Sequence, residues 1–261
     1  MILAEAVKVL AQMSVVRNER LTDEIVRLTL EDVLIARRAR PGHFLAVRAG
    51  ETDAPLLRRP FSLAGSDGQR EVSLMFRVVG VGTRLLAGRR VGETVDAIGP
   101  LGHPFEVRTD RPVLLVAGGL GIPPIAFLAR VLRAQGVPTT LYYGVRTKAE
   151  LAVLGDIEEH VDRLHVSTDD GSAGHQGFIS DLVERDIRGG VRVYACGPRP
   201  LLDVLIRIAR DRKTPMELSF EQQMACGVGA CLGCSIPTVN GYQRVCTDGP
   251  VFPAEAFYEK V

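Results

Sequence analysis

The stretch Pro112-Val113-Leu114-Leu115-Val116-Ala117-Gly118-Gly119-Leu120-Gly121-Ile122-Pro123-Pro124 decides the fold. Its first half is a continuous apolar run, as expected of a strand covered on both faces. Its second half is a glycine-rich turn that enters a helix through proline, a residue suited to a helix start. Backbone N–H groups at such a start face phosphates well. The spacing only approximates G-x-G-x-x-G, yet a glycine turn after the first strand of a doubly wound sheet is an expected ligand site. Downstream, residues 123–135 read as a helix, 139–143 as a strand, 148–158 as a helix, 164–167 as a strand, 179–184 as a helix, 191–195 as a strand and 200–210 as a helix. This alternation predicts an α/β domain with a doubly wound parallel sheet over residues 106–213. Tyr194-Ala195-Cys196-Gly197-Pro198 ends one of its strands, at the carboxyl edge where ligands sit. Taken alone, Cys196 reads as a small buried hydrophobe.

Upstream, residues 1–105 carry short apolar runs at 7–16, 25–30, 44–47, 72–79 and 93–98, broken by turns and with few helical stretches. That pattern predicts an antiparallel β-barrel. Within it, Arg58-Arg59-Pro60-Phe61-Ser62 suits an anionic ligand: Arg supplies a bidentate donor, Pro fixes the backbone and Ser adds a hydrogen bond. Gly80-Val81-Gly82-Thr83 reads equally as a pyrophosphate cradle or as a hairpin turn.

Residues 214–261 hold four of the five cysteines. Cys226, Cys231 and Cys234 are spaced C-x4-C-x2-C, and Cys246 follows after eleven intervening residues. This is the plant-type ligand run of a [2Fe–2S] cluster, with zinc as the alternative metal. Gly227, Gly229 and Gly233 let the backbone fold closely and aim N–H groups at sulfur. A segment this small, with few apolar residues, is expected to need the metal for its shape. A formal net charge of +1 offers no broad attraction for nucleic acid or anionic lipid. No apolar run reaches the ~18 residues of a membrane span, and the first eight residues do not read as a secretory signal. Clustered cysteines without an export signal point to metal rather than disulfides and to the cytoplasm.

In this order, the motifs resemble the ferredoxin-reductase superfamily with an iron–sulfur domain appended. Within it the chain is most similar to the electron-transfer subunits of NAD-dependent (type B) dihydroorotate dehydrogenase. The similarity runs through residues 57–63, 79–83, 115–124, 143–147, 194–198, 221–234 and 245–252. It implies three domains: an FAD-binding barrel (1–105), an NAD-binding domain (106–213) and a [2Fe–2S] domain (214–261). It assigns Arg59, Pro60, Phe61, Ser62, Phe76, Arg77, Val78, Gly82 and Thr83 to FAD. Gly118, Gly119, Gly121, Cys196, Gly197 and Pro198 fall to NAD, and Cys226, Cys231, Cys234 and Cys246 to the cluster. The implied partner is an FMN-containing catalytic subunit that oxidises dihydroorotate, in a heterotetramer of two subunits of each kind. Electrons would pass through the cluster and FAD to NAD+, in pyrimidine (UMP) biosynthesis. A hydrophobic docking surface is then expected near the cluster. No acid–base pair or nucleophile suited to dihydroorotate stands out, so the chain alone is not expected to oxidise it. The same order of sites suits subunits of other reductases, such as ferredoxin–NADP oxidoreductase or sulfhydrogenase. Two local features depart from the pattern. His43 stands where the family often has Gln. After the second strand of the sheet, Arg146 and Lys148 precede Glu150; these residues suit NADP as well as NAD, and the resemblance favours NAD.

Overall fold

The computed structural model describes residues 8–50, 52, 54–187 and 189–258. Val7, at the start of the first expected strand, lies outside them, as does most of the N-terminal stretch read for a secretory signal. The first region is a closed barrel of β1 (Val9–Arg20), β2 (Ile25–Glu31), β3 (Phe44–Val47), β4 (Arg59–Ser66), β5 (Glu71–Arg77) and β6 (Thr94–Leu101). The strands run antiparallel in the order β1-β2-β5-β4-β3-β6. Alternation decides which side chains fill it: Ala11, Met13 and Val15 point inward while Leu10, Gln12 and Ser14 face out. Two short helices decorate the barrel, α1 (Val33–Arg38) and α2 (Val81–Ala87). Asp32 caps α1 by accepting from the Ile35 N–H at 2.8 Å.

The second region alternates β7 (Val113–Gly118), α3 (Ile122–Ala134), β8 (Thr139–Val145), β9 (Arg163–Thr168), β10 (His175–Gln176), α4 (Ile179–Asp186), β11 (Arg192–Cys196), α5 (Arg199–Arg212) and β12 (Met216–Ser219). Every residue of β7 is buried, which fits its unbroken apolar run. Helix α3 serves two cores. Ile125, Leu128 and Leu132 pack on the sheet, while Phe127 enters the barrel core. Residues 148–158, expected as an α-helix, form two 3-10 segments, Lys148–Val153 and Gly155–His160. Leu151, Leu154 and Ile157 recur every third residue, which matches three residues per turn and turns all three toward the core beneath α3.

The last region is woven into the sheet. Strand β12 lies parallel beside β11, and β15 (Val251–Pro253) closes the same edge antiparallel to β12. The sheet order is β10-β9-β8-β7-β11-β12-β15. Phe220, Phe252 and Phe257 pack with ring centroids 4.4–5.9 Å apart, two of the pairs edge to face. This segment, expected to be poor in apolar residues, therefore anchors itself on the larger core through aromatic side chains. Between these anchors a hairpin of β13 (Ser235–Thr238) and β14 (Gly241–Arg244) stands apart from the sheet. Among the described residues no helix is long and apolar enough to cross a membrane.

Candidate functional site

Three sites adjoin one another where the regions meet. The first is a cavity of about 360 Å³ between barrel, sheet and C-terminal segment. Strands β4 and β5 supply its barrel wall through Pro60, Phe61, Ser62, Phe76 and Arg77. The Phe61 and Phe76 rings lie 5.0 Å apart, tilted by 38°, and give an apolar wall that suits an aromatic ring system. Thr83 lines the same cavity. Of the two readings of residues 80–83, the hairpin turn does not hold, because they begin α2. The Thr83 hydroxyl accepts from the N–H groups of Val79 (2.9 Å) and Gly80 (3.0 Å). The N–H groups of the following first turn then lack intrahelical acceptors and can meet a phosphate. A Cβ at Gly82 would sit 2.5 Å from the Arg59 Nε, so the missing side chain is what lets the guanidinium lie over the turn. Arg59 is not in the cavity wall; it folds over Gly82 and donates to the carbonyls of Pro55 and Leu57. Val78 turns toward the barrel core, with its N–H on the Glu24 carbonyl at 2.7 Å.

The second cavity, about 480 Å³, lies over the carboxyl ends of β7, β8 and β9. Gly118, Gly119 and Pro198 line it, and Arg77 belongs to both cavities. Gly121, Cys196 and Gly197 instead form the packed floor. A Cβ at Gly121 would collide with the Cys196 carbonyl, and one at Gly197 would lie 2.9 Å from Leu201 Cδ2. Cys196 is fully buried, and burial pushes its thiol far above the usual range.

The third site is built from two turns. Residues 226–231 curl so that the N–H groups of Val228 and Cys231 point at Cys226 Sγ, at 3.5 and 3.4 Å. Burial raises the Cys226 thiol, but these N–H groups and the neighbouring Cys231 outweigh it and bring it down to about 6. The β13–β14 hairpin supplies the second turn. Its register pairs Ser235 with Arg244 and so brings Cys234 and Cys246 together, with the Cys246 N–H 3.5 Å from Cys234 Sγ. Burial, followed by the adjoining Cys234, pushes the Cys246 thiol up to about 12. Among the described residues no three Cys, His, Asp or Glu side chains converge on one point as a single ion would require. The thiols stand as two pairs, 226 with 231 and 234 with 246, and a two-iron centre with four thiolates takes two per iron. Arg244 clasps the two turns: Nη1 donates to the Gly229 carbonyl at 3.2 Å, and Nη2 to Asp248 at 3.1 Å.

Several lining residues had not been assigned to a site from sequence, although residues 221–234 carry part of the resemblance. Phe220, Glu221, Gln222 and Met224 form the far wall of the first cavity, directly after β12. Loss of water pushes the Glu221 carboxyl above its usual range. Ser167 and Asp169 line the second cavity at the end of β9. The carboxyl-edge rule would have found both groups had β12 been assigned to the sheet and the end of β9 searched.

Comparison with known proteins agrees with this geometry. The sequence pattern of the iron-sulfur cluster binding domain of dihydroorotate dehydrogenase B matches residues 221–257, and that of an oxidoreductase NAD-binding domain matches residues 115–206. The chain is 38% identical over 250 residues to the dihydroorotate dehydrogenase B (NAD(+)), electron transfer subunit of Shouchella clausii (strain KSM-K16), covering 93% of this chain and 95% of that protein. It is 41% identical over 251 residues to the subunit of the same name from Geobacillus sp. (strain WCH70), covering 93% and 96%. Among solved structures it is similar to an NADH-dependent reduced ferredoxin-NADP oxidoreductase described for flavin-based electron bifurcation. That match has a TM-score of 0.83 at 29% identity and covers 94% of this chain and 89% of the other. A ferredoxin reductase of carbazole 1,9a-dioxygenase matches with a TM-score of 0.70 at 25% identity, covering 81% and 69%. The barrel, the doubly wound sheet, the paired cysteines and the near full-length identity to these subunits agree: the chain belongs to the family of dihydroorotate dehydrogenase B (NAD(+)) electron-transfer subunits.

Proposed function

We propose that this chain carries electrons from the FMN of a dihydroorotate dehydrogenase catalytic subunit, by way of a [2Fe–2S] cluster and FAD, to NAD+ in pyrimidine (UMP) synthesis. When bound, the cluster carries single electrons, NAD+ takes a hydride, and FAD joins the two modes. The observation that carries the reading is contiguity. Met224 lines the first cavity two residues before the cluster ligand Cys226, and Arg77 lines both the first cavity and the second.

The chain's own residues bind and orient. Cys226 with Cys231, and Cys234 with Cys246, would hold the cluster. Phe61 and Phe76 would face the flavin and the 80–83 turn its phosphates; Arg77, held by Glu24 and Glu150, would stand between flavin and nucleotide, and Arg59 sets the turn. Gly118, Gly119 and Pro198 hold the nicotinamide nucleotide, while Gly121, Cys196 and Gly197 fix the floor beneath it. Exposed Val228, Leu232 and Tyr242 around the cluster supply an apolar face for the partner. The complex is a heterotetramer of two catalytic and two electron-transfer subunits. It works in the cytoplasm, where clustered cysteines serve metal rather than disulfides. The resemblance to the ferredoxin-NADP oxidoreductase keeps a subunit of such an enzyme as the second reading; the greater identity to the dihydroorotate dehydrogenase B subunits favours the first.

Coexpression with an FMN-containing catalytic subunit should yield a copurifying complex that reduces NAD+ with dihydroorotate. The chain alone should oxidise NADH with an artificial acceptor and leave dihydroorotate untouched. Dihydroorotate turnover by the isolated chain would contradict the division of labour.

A further inference from the structure

We propose that Leu232 is a docking knob: a side chain held outward, on a strained backbone, to seat in an apolar socket of the FMN-containing catalytic subunit. The inference rests on the reading of the cysteine loop as the point where electrons enter the chain, and it names the residue that anchors the loop there.

Leu232 has a φ of +60°, in the left-handed region that penalises a side chain. Among the described residues only one other non-glycine, Lys213, has a φ of this kind. It closes α5 at its C-terminus, where a left-handed backbone is common. At 232 the turn demands the conformation. The Leu232 carbonyl accepts from the Ser235 N–H at 3.2 Å and from the Ser235 hydroxyl at 2.7 Å, which closes the step from Cys231 to Cys234. A glycine would meet that demand freely. Yet the left-handed position holds leucine, and Gly233 beside it is not left-handed.

The leucine does not offset this strain within the chain. It is 62% exposed and belongs to none of the three hydrophobic cores. Strain kept in place by its surroundings, with no packing to explain it, marks a functional position.

The surroundings of Leu232 fit a protein partner. It lies between two cluster ligands, Cys231 and Cys234, and Cys231 is itself exposed. Val228 and Tyr242 are exposed in the same segment. No residue from 222 to 243 is charged, although 24% of the chain is Asp, Glu, Lys or Arg. Arg244 and Asp248, which follow, pair with each other. Depletion of charge distinguishes the centre of a protein–protein interface from ordinary surface. The matching socket is therefore apolar, and docking of this kind responds little to salt.

Calorimetric titration of the anaerobically prepared, cluster-loaded chain with an FMN-containing dihydroorotate dehydrogenase catalytic subunit tests this, alongside urea unfolding of the chain alone. Leu232→Asn introduces a residue that tolerates the left-handed backbone and removes the apolar side chain. It should weaken the complex about tenfold, while iron content is kept and resistance to urea is at least that of the wild type. Leu232→Met keeps the apolar bulk and should bind within about threefold of the wild type. Leu10→Asn, at a comparably exposed leucine on β1 of the barrel, should bind within about twofold. Wild-type affinity should fall less than about threefold between about 0.05 and 0.5 M salt. Undiminished affinity in Leu232→Asn, an equal loss in Leu10→Asn, or a steep fall of wild-type affinity with salt would overturn the inference while the complex still stands. Loss of iron or of stability in Leu232→Asn would assign the leucine to the fold of its own loop and overturn it as well. A wild-type chain that forms no complex would instead overturn the proposed function, and the inference with it.

Discussion

Residues 118–121 and 226–234 are both rich in glycine, and both lie beside a cysteine, yet they do opposite work. In the first, the missing side chains allow interlocking. Gly121 sits against the Cys196 carbonyl, a Cβ at Gly118 would lie 2.8 Å from Pro198 Cδ, and Cys196 is sealed in as an apolar group. In the second, the missing side chains open the backbone. Gly229 has a φ of +89°, with Thr247 close behind it, and the loop turns its N–H groups toward sulfur. One thiol is driven far up by burial, while Cys226 is brought to about 6. Thiol character here is set by whether the backbone donates or excludes.

Replacing a thiol should separate the two regions most sharply. Cys226→Ser should lose iron, acid-labile sulfide and electron transfer with the partner subunit, whereas Cys196→Ser should retain its iron and sulfide. Elemental analysis and visible absorption read both outcomes.

Filling the packed turn comes next. Gly121→Ala would press a methyl group into backbone and should cost about 3 kcal/mol of stability. Gly119→Ala, at a φ of +52° with open space around it, should cost only about 1 kcal/mol. A similar loss in both variants, measured by urea unfolding, would show that the turn is not packed as described.

His43 tests the barrel's hold on β3 beside these sites. Burial, then the nearby charges of Arg40 and His103, hold its imidazole down to about 4. The unfolded chain therefore binds the proton first as pH falls, so the stabilising effect is full above about pH 6.5 and is lost toward pH 4. By pH 5 the loss should reach about 2 kcal/mol, and His43→Gln should flatten it. An unaltered acid profile in that variant would assign the sensitivity to other groups.

The smallest effect is expected at the clasp between the two cysteine turns. Asp248→Asn weakens the hold on Arg244 and should speed loss of iron to a chelator about threefold, in line with a surface ion pair worth well under 1 kcal/mol. An unchanged rate would remove Arg244 and Asp248 from the support of the cluster loop.

The parts of this molecule legible in sequence are those where one residue type answers to one demand. The run 113–117 could only be a buried strand, and the cysteine spacing could only serve a metal. Residues 148–158 misled because the apolar spacing that suits an α-helix over one turn also suits a 3-10 segment. The 80–83 turn stayed ambiguous because a hairpin and a short helix start share the same glycines. The far wall of the first cavity was hidden for a topological reason. Phe220 and Glu221 follow a four-residue strand that joins the sheet from beyond α5, and nothing local announces that pairing. The hold of Glu150 on Arg77 likewise joins residues 73 positions apart in the chain.

Iron and acid-labile sulfide measured per chain in anaerobically purified protein test the central claim most directly. Two thiol pairs holding a [2Fe–2S] centre predict about two of each per chain. Zinc in their place, or iron without sulfide, would contradict the account.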